Sequence, residues 1–179
     1  MNGKLNIVIV LIVMLIIITG CSAFFYSVEQ VEVGENAAET ALNYALSRVG
    51  RPYVRGGRGP NQFDCSGLIV WSYKKALGMD DIFEISGYTA SDASISDIYH
   101  WNVRKLSLDN IKSGDIVFFS DSAGRIKHGG LFIRWIDDNT FEYVHVSYSR
   151  RQVIVATWPL DDSGREQSFA GAGRFKKIL

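Results

Sequence analysis

The chain lacks an excess of charge of either sign: Lys and Arg total 19 and Asp and Glu total 19 in 179 residues. Nucleic-acid binding draws on phosphate neutralisation by a basic excess, so no nucleic-acid partner is expected. Cysteine is scarce, with two in all. That excludes a disulfide-dense scaffold and a four-cysteine zinc site. Internal repeats and low-complexity stretches are missing too, so a repeat architecture is not indicated. What is present is 47% hydrophobic and 12% aromatic residues, enough for the core of one ordinary domain.

Those apolar residues are unevenly spread. Lys4 is the one charged residue in positions 1–20, and an unbroken apolar run follows from Ile7 to Ile18. At 1.5 Å per residue the run reaches about 18 Å, short of the roughly 30 Å of a bilayer's hydrocarbon core. A basic start, a short apolar run and then small residues read as a secretory signal over 1–20. The run ends Ile18-Thr19-Gly20-Cys21, which resembles the lipobox of bacterial lipoproteins. The resemblance implies that Cys21 is acylated and that the chain is exported and lipid-anchored to the cell envelope, on an outer membrane facing the periplasm in a Gram-negative cell. An uncleaved N-terminal anchor is the alternative, and it also leaves an exported, membrane-held domain. Residues 21–34 then read as the lipidated N-terminus and a tether, and 35–179 as the folded domain. With Cys21 carrying lipid, Cys65 is the domain's single cysteine, either a small buried hydrophobe or a reactive thiol.

The period of the apolar residues changes along the domain. Ala38, Ala41, Leu42, Ala45, Leu46 and Val49 form a helical stripe over Glu35–Val49, stopped by Gly50 and Pro52. Arg51–Phe63 is a loop rich in Gly and Pro. A second helix starts near Asp64 or Cys65 and runs to about Leu77, before Gly78. Residues 79–110 read as loops around a short helix near Ser91–Tyr99. Five strands follow at Asp115–Ser120, Gly130–Ile136, Phe141–Val146, Gln152–Thr157 and Gly173–Ile178, with a hairpin turn at Asp137–Thr140. Helices first and consecutive strands after predict an α+β domain with an antiparallel sheet.

A thiol attacks as thiolate, so a nucleophilic cysteine needs a base or a helix N-terminus beside it. Cys65 stands where the second helix begins. There the unpaired backbone N–H groups favour an anion and could hold the oxyanion formed at an attacked carbonyl. Three histidines are available: His100, His128 and His145. His128 and His145 fall on consecutive strands. A tight hairpin pairing 136 with 141 would put His145 opposite residue 132, on the same face as residue 128.

The stretch Arg51-Pro-Tyr-Val-Arg-Gly-Gly57, followed by Phe63-Asp-Cys-Ser-Gly-Leu68, resembles the NlpC/p60 family of bacterial cell-wall cysteine peptidases. Three further blocks agree in order: Ser113-Gly-Asp-Ile-Val-Phe-Phe119, His128-Gly-Gly-Leu-Phe-Ile133 and His145-Val-Ser-Tyr-Ser149. The ending Phe169-Ala-Gly-Ala-Gly-Arg174 also fits. The resemblance covers roughly residues 37–178. It implies a papain-like fold, with the nucleophile helix packed on an antiparallel sheet of about five strands. It implies Cys65 as nucleophile, His128 as base and His145 as the group that orients His128, with Tyr53 and Ser66 as substrate or oxyanion contacts. Asp64 is assigned to the helix start. The implied substrate is a peptidoglycan stem peptide, often cut between D-γ-glutamyl and a diamino acid through a thioester. No metal or other cofactor is required. A thiolate–imidazolium pair would make activity fall at acid pH.

Residues 79–110 depart from the family, carrying Tyr88, Tyr99, His100 and Trp101, and the His128–His145 spacing is long. Substrate choice is therefore open. The alternatives are a thiol amidase or acyltransferase with another substrate, and a non-catalytic wall-binding lipoprotein. Arg55, Arg58, Arg150 and Arg151 either pair with stem-peptide carboxylates or are solvated surface charge. No separate wall-binding module is apparent, so a regulatory or targeting partner, not identified by the sequence, is a further expectation.

Overall fold

The computed structural model describes residues 28–161 and 166–179. The segment read as a signal and Cys21, read as a lipidation site, lie outside them. Among the described residues there are three α-helices: α1 (Glu35–Leu46), α2 (Cys65–Leu77) and α3 (Ile95–Trp101). The strands are β1 (Gln30–Glu32), β2 (Phe83–Ile85), β3 (Tyr88–Ala90), β4 (Val103–Leu106), β5 (Ile116–Ser120), β6 (Ile126–Trp135), β7 (Thr140–Ser147), β8 (Gln152–Pro159) and β9 (Ser168–Ile178). A seven-stranded antiparallel sheet runs β1-β9-β5-β6-β7-β8, with β4 also paired to β9, and β2 and β3 form a separate hairpin.

The α+β class and the helix-on-sheet arrangement are as expected, but the sheet is larger than five strands. Two extra strands come from segments whose apolar pattern is too short to show a period. β4 lies in the unreadable segment 79–110. β1 lies in the stretch read as a tether: Val31 pairs with Lys177, and the buried Val33 donates its N–H to the Phe175 carbonyl at 2.9 Å. The folded part therefore begins before Glu35. The short helix of that segment forms at Ile95–Trp101, slightly later than read, behind a capping box in which Ser94 and Asp97 satisfy each other's backbone N–H groups.

Both faces of the sheet are covered by apolar residues. On the helix side Ile116, Phe118, Leu131, Val144 and Val146 pack with Leu68, Ile69 and Tyr73 of α2 and Leu42 of α1. On the other side Val117, Phe119, Phe132, Phe141 and Trp158 form a second cluster. This is why Ile116–Phe119 is an unbroken apolar run: successive side chains point to opposite faces, and both faces are buried. Two of the sequence blocks meet here. Asp115, 1% exposed, accepts Nε (3.0 Å) and Nη2 (2.9 Å) of Arg174 as a two-pronged ion pair between β9 and the turn entering β5.

Candidate active site

Asp64 builds the start of α2. Its carboxylate accepts the Gly67 N–H at 2.7 Å as the N-cap, the Gly56 N–H at 3.0 Å, the Ser66 hydroxyl at 3.1 Å and Arg58 Nη1 at 2.6 Å. One side chain thus ties the Gly-rich loop to the first turn of the helix. The loop comes so close that a Cβ on Gly67 would lie 1.9 Å from the Gly57 carbonyl oxygen, which accounts for glycine two residues after Cys65. Arg58 is held on its other side by Asp92 at 2.8 Å. It is occupied in the fold, and of the four arginines considered for substrate binding it is the one to remove.

Cys65 is the first residue of α2 and is half-buried. Burial pushes its thiol pKa up, and the Asp64 carboxylate adds to the rise; the backbone N–H groups of Ser66 and Cys65 and the charge of Arg58 pull it down without cancelling it. The resting form is the thiol, not the thiolate expected from the helix N-terminus alone. Ser66 is buried and its hydroxyl is turned back onto Asp64. It offers the site its backbone N–H instead, so it is a candidate oxyanion donor through the main chain and not through its side chain.

The β6–β7 hairpin supplies the histidines in a register that differs from the expected one. His145 pairs with Gly130, not residue 132, because the hairpin pairs Trp135 rather than residue 136 with Phe141 and a bulge between Phe132 and Arg134 adds a second one-residue shift. Residues 130 and 128 share a face, so the two rings still meet, with His128 Nε2 and His145 Nδ1 2.7 Å apart. A Cβ on Gly130 would fall 2.9 Å from the His145 Cβ and 2.6 Å from the Val144 carbonyl oxygen, so the second glycine of the His128 block makes room for the pair.

For His128 to act as a base, its Nε2 must carry the proton and donate to His145 Nδ1. That leaves His128 Nδ1 with a lone pair. The opposite tautomer would place the His128 proton on Nδ1 and disable it. The surroundings are apolar: His128 lies against Phe119, and His145, 8% exposed, is stacked on Tyr143. Burial lowers the pKa of His128 to about 4. Burial and then the neighbouring His128 lower that of His145 to about 3. Both rings are neutral at physiological pH.

The sulfur and the pair are joined through the main chain. The Cys65 thiol donates to the carbonyl of Lys127, the residue before His128, at a long 3.9 Å. Among the described residues Cys65 and His128 are not hydrogen-bonded to each other, an open geometry common in unliganded catalytic sites. Tyr53 bridges to Phe63, two residues before Cys65, and its ring meets Tyr148 edge-on at 5.4 Å and lies beneath the Arg151 guanidinium at 5.1 Å. Its role toward Cys65 rests on sequence position alone. Arg151 and the 70%-exposed Tyr148 beyond it are candidates for substrate contact that sequence blocks did not single out as a unit. His100, matched to no catalytic block, stands apart from the histidine pair in the wall of a surface pocket with Lys127.

The family model described as "NlpC/P60 family" matches residues 50–172. The Gamma-DL-glutamyl hydrolase of Bacillus subtilis is 36% identical over 106 residues, 56% of this chain and 23% of that protein. The Bifunctional muramidase/DL-endopeptidase CwlT of Bacillus subtilis is 34% identical over 53% of this chain and 26% of its own length. The Murein DD-endopeptidase MepH of Escherichia coli is 29% identical over 55% of this chain and 34% of its length. The chain thus spans about a quarter to a third of these relatives. Among solved structures, NlpC2 from Trichomonas vaginalis superposes with a TM-score of 0.57 at 25% identity, over 80% of this chain and 48% of that one. The NlpC/p60 domain of the peptidoglycan hydrolase SagA superposes at 0.53 and 24% identity, over 77% and 98%. The papain-like fold is shared with both.

Proposed function

The chain belongs to the NlpC/P60 family, and from that premise we propose that it is a cysteine endopeptidase of peptidoglycan stem peptides, cutting between D-γ-glutamyl and a diamino acid and held to the cell envelope by lipid on Cys21. The observation that carries the reading is the convergence at one point of the α2 N-terminus, the Cys65 thiol and the paired His128 and His145. Two of the three relatives described above have names that specify a DL bond and one a DD bond. The two DL names go with the higher identities, and they support the γ-glutamyl assignment.

The chemistry follows from the neutral resting state. As the sulfur of Cys65 attacks the amide carbon, its proton passes to His128 Nδ1, and the Nε2–H bond to His145 steadies the imidazolium. The carbonyl oxygen becomes an oxyanion facing the N–H groups at the start of α2. The imidazolium then protonates the leaving amine as the C–N bond breaks, giving a thioester. Water, activated by His128, hydrolyses the thioester and frees the thiol. Because His128 is neutral down to about pH 4, the acid limb of kcat/KM is expected well below the ordinary histidine range. Muropeptides digested with the wild type and with Cys65→Ala test the reading. Products with a new N-terminal diamino acid, lost in Cys65→Ala, are expected; no cleavage of intact wall, muropeptides or free stem peptides sinks it.

A further inference from the structure

A pocket of about 480 Å³ is lined by Lys127, whose carbonyl accepts from the Cys65 thiol, and the proposed chemistry does not use it. One wall is α3, with Ser96, Tyr99 and His100; the other is the start of β6, with Arg125, Ile126 and Lys127. The α3 wall belongs to the segment in which this sequence departs from its family. The β6 wall is shaped by a bulge. Phe119 pairs with His128 and Ser120 with Ile126, so Lys127 is the extra residue opposite no partner. A bulge bends its strand and re-aims the side chain it carries. Here the Lys127 carbonyl meets the Cys65 sulfur, and the exposed Lys127 is one of the residues that line the pocket. One residue therefore touches both the nucleophile and the pocket.

The charges around the pocket do not cancel. Arg125 is committed to Asp121, with Nη2 and Oδ2 2.7 Å apart. Asp97, the acid of α3, is turned back onto Ser94 at 2.6 Å. Lys127 is exposed and has no acidic partner among the described residues. Behind Tyr99, Lys105 donates to the Tyr99 carbonyl and lies over its ring, again with no acid beside it. One unneutralised lysine in the lining, Lys127, with Lys105 behind Tyr99, its pKa lowered by burial to about 8, makes the cavity more attractive to an anion than to a cation.

We propose that this pocket takes a free carboxylate of the substrate beside the scissile bond, with Lys127 as its charge partner and the Tyr99–His100 wall limiting what else fits. Lys127 is then a specificity-determining residue. The proposal rests on the reading of Cys65 as the nucleophile of a peptidase, and its test separates the two.

The first measurement needs no peptidase activity. Cys65 of the full chain is alkylated with iodoacetate, which carries a carboxylate, and with iodoacetamide, which is its neutral counterpart. Labelling is followed by mass spectrometry on the peptide containing Cys65. The iodoacetate-to-iodoacetamide rate ratio is expected to fall about fivefold in Lys127→Gln, the scale of one nearby charge at a solvated site, and to be kept in Lys127→Arg. The second measurement compares a stem peptide with a free carboxylate on its diamino acid or glutamyl residue and the same peptide amidated there. Lys127→Gln is expected to raise KM for the acid and not for the amide, with kcat little changed. An unchanged alkylation ratio, or equal KM changes with both peptides, overturns the proposal. The expected Lys127-dependent fall in the alkylation ratio, with neither peptide cleaved by the wild type, would refute the peptidase reading and leave the carboxylate pocket standing.

Discussion

The paired histidines make folding stability depend on pH in a window that belongs to them. In the unfolded chain each ring takes a proton near pH 6.5. In the folded protein burial holds His128 neutral to about pH 4 and His145 to about pH 3. Depressed folded pKa values mean that the stabilisation is present above pH 6.5 and is lost as pH falls toward the folded values. Each histidine contributes at most about 1.4 kcal/mol per pH unit, so the pair gives a slope of up to about 2.7 kcal/mol per unit. Between pH 6.5 and 4.5 the loss reaches about 5 kcal/mol, a large share of the roughly 5–15 kcal/mol that keeps a domain folded. Carboxylates held below their usual range, such as Glu32 and Asp121, lose their stabilisation at lower pH and leave this window to the histidines. Urea unfolding at pH 6.5, 5.5 and 4.5 reads the slope directly. The double variant His128→Gln/His145→Gln lacks both buried rings and should be much flatter, whatever its absolute stability. A wild-type slope below about 0.5 kcal/mol per unit, or the same slope in the double variant, would refute the neutral buried pair.

Further outcomes follow from the carboxylates of Asp64 and Asp115 and their arginine partners. Asp64→Asn removes the carboxylate shared by Arg58, Ser66, Gly56 and Gly67, and a loss of about 2–4 kcal/mol is expected in denaturant unfolding. The same change removes a negative charge that raises the Cys65 pKa, so the pH midpoint of Cys65 alkylation should move down, and an upward move would contradict the electrostatic account. Arg174→Met leaves the buried Asp115 carboxylate without its partner and should cost about 3–5 kcal/mol, while replacing both residues with apolar ones of similar volume should recover most of that loss.

Much of the site was legible because its parts are local. Asp64, Cys65, Ser66 and Gly67 are consecutive, and a cap followed by a helix start needs little beyond the order of the residues. The apolar run Ile116–Phe119 likewise announced a strand, though not that both its faces are buried. Other features needed long-range information. β1 and β4 are three and four residues long and exist because β9 offers them a paired edge, so no periodicity marked either one. The register of β6 on β7 depends on a turn that pairs Trp135 with Phe141 and on a bulge beyond residue 132, neither of which sequence spacing revealed, although the combined shift by two kept both histidines on one face.

By itself the sequence nominated Cys65, His128 and His145 as the candidate chemical groups, because they stand in short blocks whose order resembles one family. The protonation state of those side chains was decided only by the tertiary structure. A helix N-terminus favours a thiolate, but burial and the capping carboxylate outweigh it, and the aromatic surroundings keep both imidazoles neutral. The tertiary structure also decided the fate of single polar groups: the Ser66 hydroxyl and the Arg58 guanidinium are both consumed by Asp64, and the bulge at Lys127 brings a carbonyl to the sulfur and an ammonium to the neighbouring pocket. Desolvation and hydrogen-bond competition depend on what packs around a group, and that is set by residues far away in the chain.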